Sequence, residues 1–116
     1  MTTTRKRPCR PHIGMTIEQA AEYMRSCWGR FQESKDKPDT ITDLFGEEAP
    51  SIWKYDQHLL REGLRDCGWC LGHSGGFKAM EKAHDLAIQG MDWEWEGHDF
   101  SRKIDFAFDG IAGWLA

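Results

Sequence analysis

The amino-acid sequence predicts an all-α fold, a compact bundle of about four amphipathic helices with an extended basic N-terminal arm. Apolar residues recur at three- and four-residue intervals in separate segments, which is the spacing of a buried helix face. The breaks between these segments are short and contain Gly or Pro. A chain of 116 residues can bury one core without disulfides. We therefore expect an arm over residues 1–14 and a single helical domain over residues 15–116.

The first predicted helix follows the arm. The arm, MTTTRKRPCRPHIG, contains two prolines and no hydrophobic periodicity, which predicts an extended segment. Thr16 and Gln19 have the spacing of a capping box, a signal for the start of a helix. The apolar stripe from Ile17 to Phe31 predicts a helix over about residues 16–34. The polar segment ESKDKPDT then ends it.

The second predicted helix begins at Pro50, a residue favoured in the first turn of a helix. Its apolar stripe runs over residues 52–71, and Gly72 is expected to end it. Gly63 lies on that stripe and indicates the close approach of a neighbouring helix. Residues 41–50 contain a short apolar cluster that we expect to form one turn of helix on the core.

Two further helices complete the predicted bundle. The segment Ser74-Gly75-Gly76 opens the third, whose apolar stripe covers residues 77–91. Residues 91–96 alternate apolar and acidic side chains, but no partner strand is evident, so we predict an extended connection. Asp99 or Ser101 is expected to cap the fourth helix, whose apolar residues over 100–115 face inward.

The arm and the body carry opposite charges. The four cations of the arm, with no acid over residues 1–17, give it about +4: Arg5, Lys6, Arg7 and Arg10. The other 11 basic and 19 acidic side chains give the body −8, within a net charge of −4. The arm can neutralise phosphates, whereas the body repels them. Direct nucleic-acid contact is therefore expected to be weak and confined to the arm.

The sequence predicts a cytoplasmic protein that does not enter a membrane. No apolar run approaches the ~18 residues of a membrane span, and the basic start is not followed by the apolar stretch of a signal peptide. Four cysteines are too few for a secreted disulfide scaffold. In a reducing compartment they are expected to be free thiols or metal ligands.

The cysteine pattern allows two interpretations. Cys67 and Cys70 form a CxxC pair, which supplies half of a tetrahedral zinc site. The second half has two candidates, Cys9 with His12 or His73 with His84. Alternatively, the cysteines are buried thiols, since Cys67 continues the apolar stripe of its helix and free cysteine is commonly buried. A redox role is disfavoured because the pair lies at a helix C-terminus, whose dipole raises a thiol pKa.

Catalytic patterns do not stand out. The sequence contains no G-x-S-x-G nucleophile elbow. His73-Ser74-Gly75-Gly76 precedes a predicted helix, but it lacks the Lys-Ser/Thr of a phosphate-binding P-loop, so helix capping is the favoured role. The acidic pairs resemble solvated surface charges. The sequence therefore favours a non-catalytic protein.

The strongest candidate for a binding surface is acidic and contains two indoles. Residues 85–99 hold no Lys or Arg. Tryptophan is a frequent anchor at protein interfaces, and surface acids can steer a basic partner. The alternation predicts that both tryptophans share one side of an extended segment; alternatively, they pack back as a cover on the bundle. The candidate binding residues are Asp92, Trp93, Glu94, Trp95, Glu96 and Asp99.

These observations predict an acidic helical binding protein that blocks or modulates a protein partner. Its composition resembles that of small acidic inhibitors, phage-encoded ones included, that occupy a basic nucleic-acid-binding site. The alternative is a zinc-stabilised module, with Cys9, His12, Cys67 and Cys70 as ligands, that contacts nucleic acid through its arm.

Overall fold

The chain is mostly helical. The computed structural model describes residues 9–34, 40–42, 46, 48–50 and 52–115, so Arg5, Lys6 and Arg7 of the predicted arm lie outside the described residues. The helices are α1 (Ile17–Ser34), α2 (Ile52–Ile88) and α3 (His98–Phe108), and a π-helical turn (Trp93–Gly97) directly precedes α3. Strands β1 (Thr40–Thr42) and β2 (Glu48–Pro50) pair antiparallel between α1 and α2. Within the described residues, no helix combines the length and apolarity that a membrane span requires.

Helix α1 begins where the capping box predicted. The Thr16 amide donates to Gln19 Oε1 at 2.9 Å, and the Gln19 amide donates to Thr16 Oγ1 at 3.1 Å. This reciprocal pair satisfies amides that the first helical turn leaves without carbonyl partners. The buried face of α1 carries Ala20, Met24 and Trp28, as the apolar stripe predicted.

The segment before α2 differs from its prediction. Residues 41–50 were expected to form a turn of helix, but the structure has a two-stranded sheet in which Ile41 lies opposite Ala49. Strand β1 consists of Thr40, Ile41 and Thr42, whose branched β-carbons favour a strand over a helix. Leu44 and Phe45 of the predicted apolar cluster lie outside the described residues.

Helix α2 consists of two helical segments that meet at a kink at Gly76, and they correspond to the second and third predicted helices. The predicted end at Gly72 is wrong, because the helix continues to a kink at Gly76, where φ is 68° and ψ is −162°. Only glycine adopts that conformation readily. Gly72 serves packing instead, since a Cβ there would lie 2.9 Å from Ile111 Cγ2. Ser74, which was expected to open a helix, donates to the Cys70 carbonyl within α2.

The core lies where α1 and α3 pack against α2. The Trp28 ring of α1 stacks on Phe100 of α3, with ring centroids 4.8 Å apart. At Gly68 of α2, an added Cβ would lie 2.7 Å from the Phe108 ring, so the glycine permits close approach of α3. The largest fully buried side chains come from all three helices: Phe100, Phe108, Met24, Leu64, Leu71, Met80, Ile104 and Cys67.

The chain does not remain helical after Phe108. The predicted fourth helix was expected to bury residues up to Leu115, but residues 109–115 form turns in which Ile111 and Trp114 are buried and Leu115 is exposed. Gly110 has a φ of 81°, a left-handed conformation that ends helices. Arg65 of α2 donates to the carbonyls of Ala107 and Asp109 at 3.2 and 3.5 Å, which satisfies carbonyls at the end of α3.

Candidate functional site

The predicted binding segment is a helical turn and not an extended connection. We call residues 92–99 the tryptophan turn. The Gly97 amide donates to the Asp92 carbonyl at 2.8 Å, the five-residue spacing that defines a π-helix. Asp92 starts the turn, because its side chain accepts a hydrogen bond from the Glu94 amide at 3.0 Å. A cap of this kind was not foreseen, since the alternating pattern favoured a strand.

Both tryptophans of this turn are exposed. Trp93 is 54% exposed and Trp95 is 73% exposed. The Trp93 ring meets the His98 ring edge-on, with centroids 5.6 Å apart and planes at 89°. In a helical turn, residues two apart do not share a side. The prediction that Trp93 and Trp95 face the same way was therefore wrong, and the indoles offer two separate anchors.

The acids of the tryptophan turn have different surroundings. Glu96 accepts a hydrogen bond from the buried Trp28 indole, with 2.8 Å between Oε1 and Nε1, and thereby ties the turn to α1. Asp92 caps the turn. All four acids, including Glu94 and Asp99 in the first turn of α3, are exposed, so these two hydrogen bonds are what distinguishes Asp92 and Glu96. We conclude that Asp92 and Glu96 stabilise the turn through hydrogen bonds and that Glu94 and Asp99 contribute less to its stability.

The candidate zinc ligands do not come together. Cys9 Sγ lies 3.4 Å from His12 Nδ1, but Cys67 is fully buried in the core. Among the residues described here, no three His, Cys, Asp or Glu side chains form a group that could hold a metal. The His73–His84 alternative is not assembled either, since His84 bonds to Ser101 Oγ at 2.8 Å and to Asp85 Oδ1 at 3.0 Å. The zinc-stabilised module therefore lacks its predicted cluster.

The buried Cys67 and the half-buried Cys27 lie near Tyr23 at the α1–α2 contact. Burial is the main cause that raises the pKa of Cys67 and of Cys27 above the ordinary thiol value. Burial, followed by the neighbouring Cys27, also raises the pKa of Tyr23 to about 12. The thiolate is the reactive form of cysteine. Because their raised pKa values keep Cys67 and Cys27 protonated, both are poor nucleophiles at neutral pH.

A groove with carboxylates around an aromatic floor was not foreseen from the sequence. Its floor is Phe77 of α2 with Trp114 and Leu115 of the final turns, and its volume is about 320 Å³. Glu81, His84 and Asp85 of α2 and Asp105 of α3 line it as well. We call it the carboxylate groove. The spacing of Phe77, Glu81 and Asp85 places them on one face of α2, but only the fold brings them beside Trp114.

A second unforeseen feature is a mixed-charge groove between α2 and α3. Arg61 of α2 lies beside Lys103 and the exposed Phe106 of α3. The Lys103 ammonium lies 5.7 Å from the centre of the Phe31 ring, a cation–π distance. Asp109 also lines this groove, and so a phosphate would meet both signs of charge. Arg61 and Lys103 come from different helices, so these two cations meet only through packing.

The arm contributes one described cation to a further groove. Arg10 is exposed and precedes α1, and it lines a groove together with Asp66 of α2. Its carbonyl lies 2.9 Å from His12 Nδ1. The other arm cations, Arg5, Lys6 and Arg7, lie outside the described residues.

The chain is without detectable relatives in all three comparisons: no protein-family model, no curated protein and no solved structure matches it.

Proposed function

We propose that this protein is a non-catalytic binding protein that docks on a basic protein partner through the tryptophan turn and blocks or modulates it. The single observation that carries the proposal is the exposure of Trp95, at 73%, beside Trp93, at 54%. Each exposed indole offers a large, rigid apolar surface that a partner can bury. Tryptophan is also among the residues most often found at the energetic centre of protein interfaces.

Charge selects the class of partner. Glu94 and Asp99 flank the indoles, and Asp92 and Glu96 add negative charge while holding the turn. A body of charge −8 attracts a basic surface and speeds its approach. Such a surface is typical of a nucleic-acid-binding protein, so an inhibitor that occupies a basic nucleic-acid-binding site fits these charges.

Three further parts of the proposal come from the sequence: the location of the protein, its helical bundle and its basic arm. We further propose a cytoplasmic protein with residues 1–14 as a basic arm. Its four-helix bundle would consist of α1, the two segments of α2 on either side of the kink at Gly76, and α3. The arm cations Arg5, Lys6, Arg7 and Arg10 would then add a weak second contact, either to an acidic region of the partner or to phosphates nearby.

The experiment compares partner capture by three forms of the protein. Wild type, the double variant Trp93→Ala/Trp95→Ala and the control Trp69→Ala are used as baits in an extract of the native cell. Trp69 is an exposed tryptophan of α2 outside the turn, so it matches the chemical change at another place. We expect the partner to be retained by wild type and by Trp69→Ala but lost by the double variant.

Measuring both the affinity for the partner and the melting temperature of each variant distinguishes a loss of binding from a loss of folding. Each single Trp→Ala change in the turn should weaken binding of the captured partner by about 2 kcal/mol or more, mostly through faster dissociation. Glu94→Lys should mainly slow association. Melting temperatures should change little, because both indoles are exposed in the free protein. Equal losses for Trp69→Ala, or a drop in melting that accounts for the lost affinity, would contradict the proposal.

A further inference from the structure

We propose that the carboxylate groove is a second binding site, one that accepts an arginine side chain of a basic polypeptide. The groove is lined by Asp105 near the C-terminal end of α3 and by the turns that follow, whereas the tryptophan turn lies at the N-terminal end of α3. It is therefore a separate site, and the proposal does not depend on the function proposed for the turn.

The floor of the groove is aromatic and partly open. Phe77 is 42% exposed and is the accessible ring, whereas Trp114, whose ring lies 5.0 Å away at an angle of 37°, is buried. Leu115, which is 62% exposed, extends this apolar floor. Aromatic faces attract cations, and a guanidinium also stacks on them through its flat surface. The floor thus suits a flat cation better than a hydrated ammonium.

The rim supplies the opposite charge. Glu81, Asp85 and Asp105 line the groove together with His84, and the described residues of its lining include neither Lys nor Arg. Two of these carboxylates are held in place: Asp105 accepts the Trp114 indole N–H at 3.1 Å, and Asp85 bonds to His84 at 3.0 Å. A carboxylate has several acceptor positions, so one bond leaves others for a ligand. Arginine presents parallel N–H donors that match carboxylate geometry.

The volume of the groove and the negative charge of its lining restrict which ligand can bind there. About 320 Å³ lies at the small end of ligand pockets, which favours one side chain and its backbone over a large ligand. A nucleic-acid phosphate would face three carboxylates, which repel it. An arginine-bearing segment of a protein is the occupant whose charge and shape both fit.

The test is a titration of the full chain, labelled with ¹⁵N, with the blocked peptide acetyl-Gly-Arg-Gly-Arg-Gly-amide at about 150 mM salt. The Trp114 indole N–H is a built-in reporter because it is hydrogen-bonded at the rim. We expect saturable shifts of this signal and of backbone amides between Phe77 and Asp85. Shifts centred on the tryptophan turn instead would overturn the proposal.

Matched variants test whether the rim recognises the peptide. Glu81→Gln/Asp85→Asn should raise the peptide Kd at least tenfold. Glu18→Gln/Glu22→Gln removes the same charge from exposed positions of α1 and should change the Kd less than twofold. Equal losses in the two double variants would mean that net charge alone attracts the peptide, and the site would be rejected.

Two further probes distinguish the chemical class. A lysine version of the peptide should bind several-fold more weakly, since an ammonium lacks the flat fork of a guanidinium. Asp105→Asn should also weaken the arginine peptide while preserving the spectrum of a folded protein. A single-stranded oligothymidylate should neither shift the Trp114 signal nor displace the peptide, and displacement would reject a protein segment as the occupant.

Discussion

At the scale of single residues, one carboxylate of the tryptophan turn has a structural role that its position in the sequence concealed. Glu96 and Glu94 belong to the same alternating run and look equivalent there. In the structure Glu96 meets the buried Trp28 indole, which comes from a residue 68 positions away. A buried donor that loses its acceptor forfeits its hydrogen bond and keeps its desolvation cost.

Removing that acceptor should therefore destabilise the fold. We expect Glu96→Ala to lower the free energy of unfolding by about 1–2 kcal/mol, measured by urea denaturation. Glu94→Ala is the matched control, and it should stay within about 0.5 kcal/mol of wild type because Glu94 is an exposed surface residue. Equal effects of the two changes would mean that the Trp28–Glu96 bond contributes nothing measurable.

At the scale of elements, glycines of α2 determine how closely α1 and the C-terminal part of the chain can approach. Gly63, Gly68 and Gly72 lie along the packed side of α2 and face Cys27, Phe108 and Ile111 respectively. A close approach at Gly63 was expected from the sequence, whereas Gly72 was expected to end the helix. A glycine inside a helix lowers the stability of that helix. At these positions the close packing that the glycine permits offsets that loss.

The substitution Gly68→Ala tests whether tight packing at this glycine offsets its low helix propensity. In Gly68→Ala the new Cβ would lie 2.7 Å from the Phe108 ring, which is fully buried in the core. Overpacking of this kind costs about 1–3 kcal/mol and should outweigh the gain in helix propensity. We expect a lower melting temperature and a lower free energy of unfolding.

The control for this change lies in α1. Gly29 is exposed, and a Cβ added there would meet nothing within 4 Å, so Gly29→Ala introduces the methyl group without a clash. It should stabilise the protein by about 0.5–1 kcal/mol. A stabilised Gly68→Ala variant would show that α3 does not pack on α2 as closely as described.

At the scale of the whole molecule, buried neutral groups couple stability to alkaline pH. Cys27, Cys67 and Tyr23 all have a pKa raised mainly by burial. In the unfolded chain they release their protons near the ordinary values of 9.0 for a thiol and 10.0 for tyrosine. Above those values the native state binds more protons than the unfolded state, so the free energy of unfolding falls as pH rises.

We therefore expect stability that is complete below about pH 9 and declines from there towards pH 12. The free energy of unfolding is measured by denaturant titration at intervals of half a pH unit. Tyr23→Phe removes the tyrosine from the balance, so the decline above pH 10 should become shallower than in wild type. A free energy of unfolding that is constant or rises between pH 9 and pH 11 would show that these groups are not buried in the native state.

The candidate site was predictable in part. Exposure of Trp93 and Trp95 was one of two alternatives that the sequence left open, and the structure has both indoles exposed. Their predicted common side depended on an extended backbone, which the π-helical turn replaces. The carboxylate groove was not predictable, because Asp85 and Asp105 come from two helices and Trp114 from a later turn.

The sequence by itself determined the features that depend on near neighbours: the capping box at Thr16, the apolar stripe of α1, the helical character of the chain and its acidic body. These follow from contacts within about one helical turn and from composition. Only the tertiary structure decided that the helix continues past Gly72, that Glu96 accepts a hydrogen bond from Trp28, and that Asp105 and Trp114 line a groove with Phe77. Each of these depends on side chains far apart in the chain, whose meeting is set by how the helices pack.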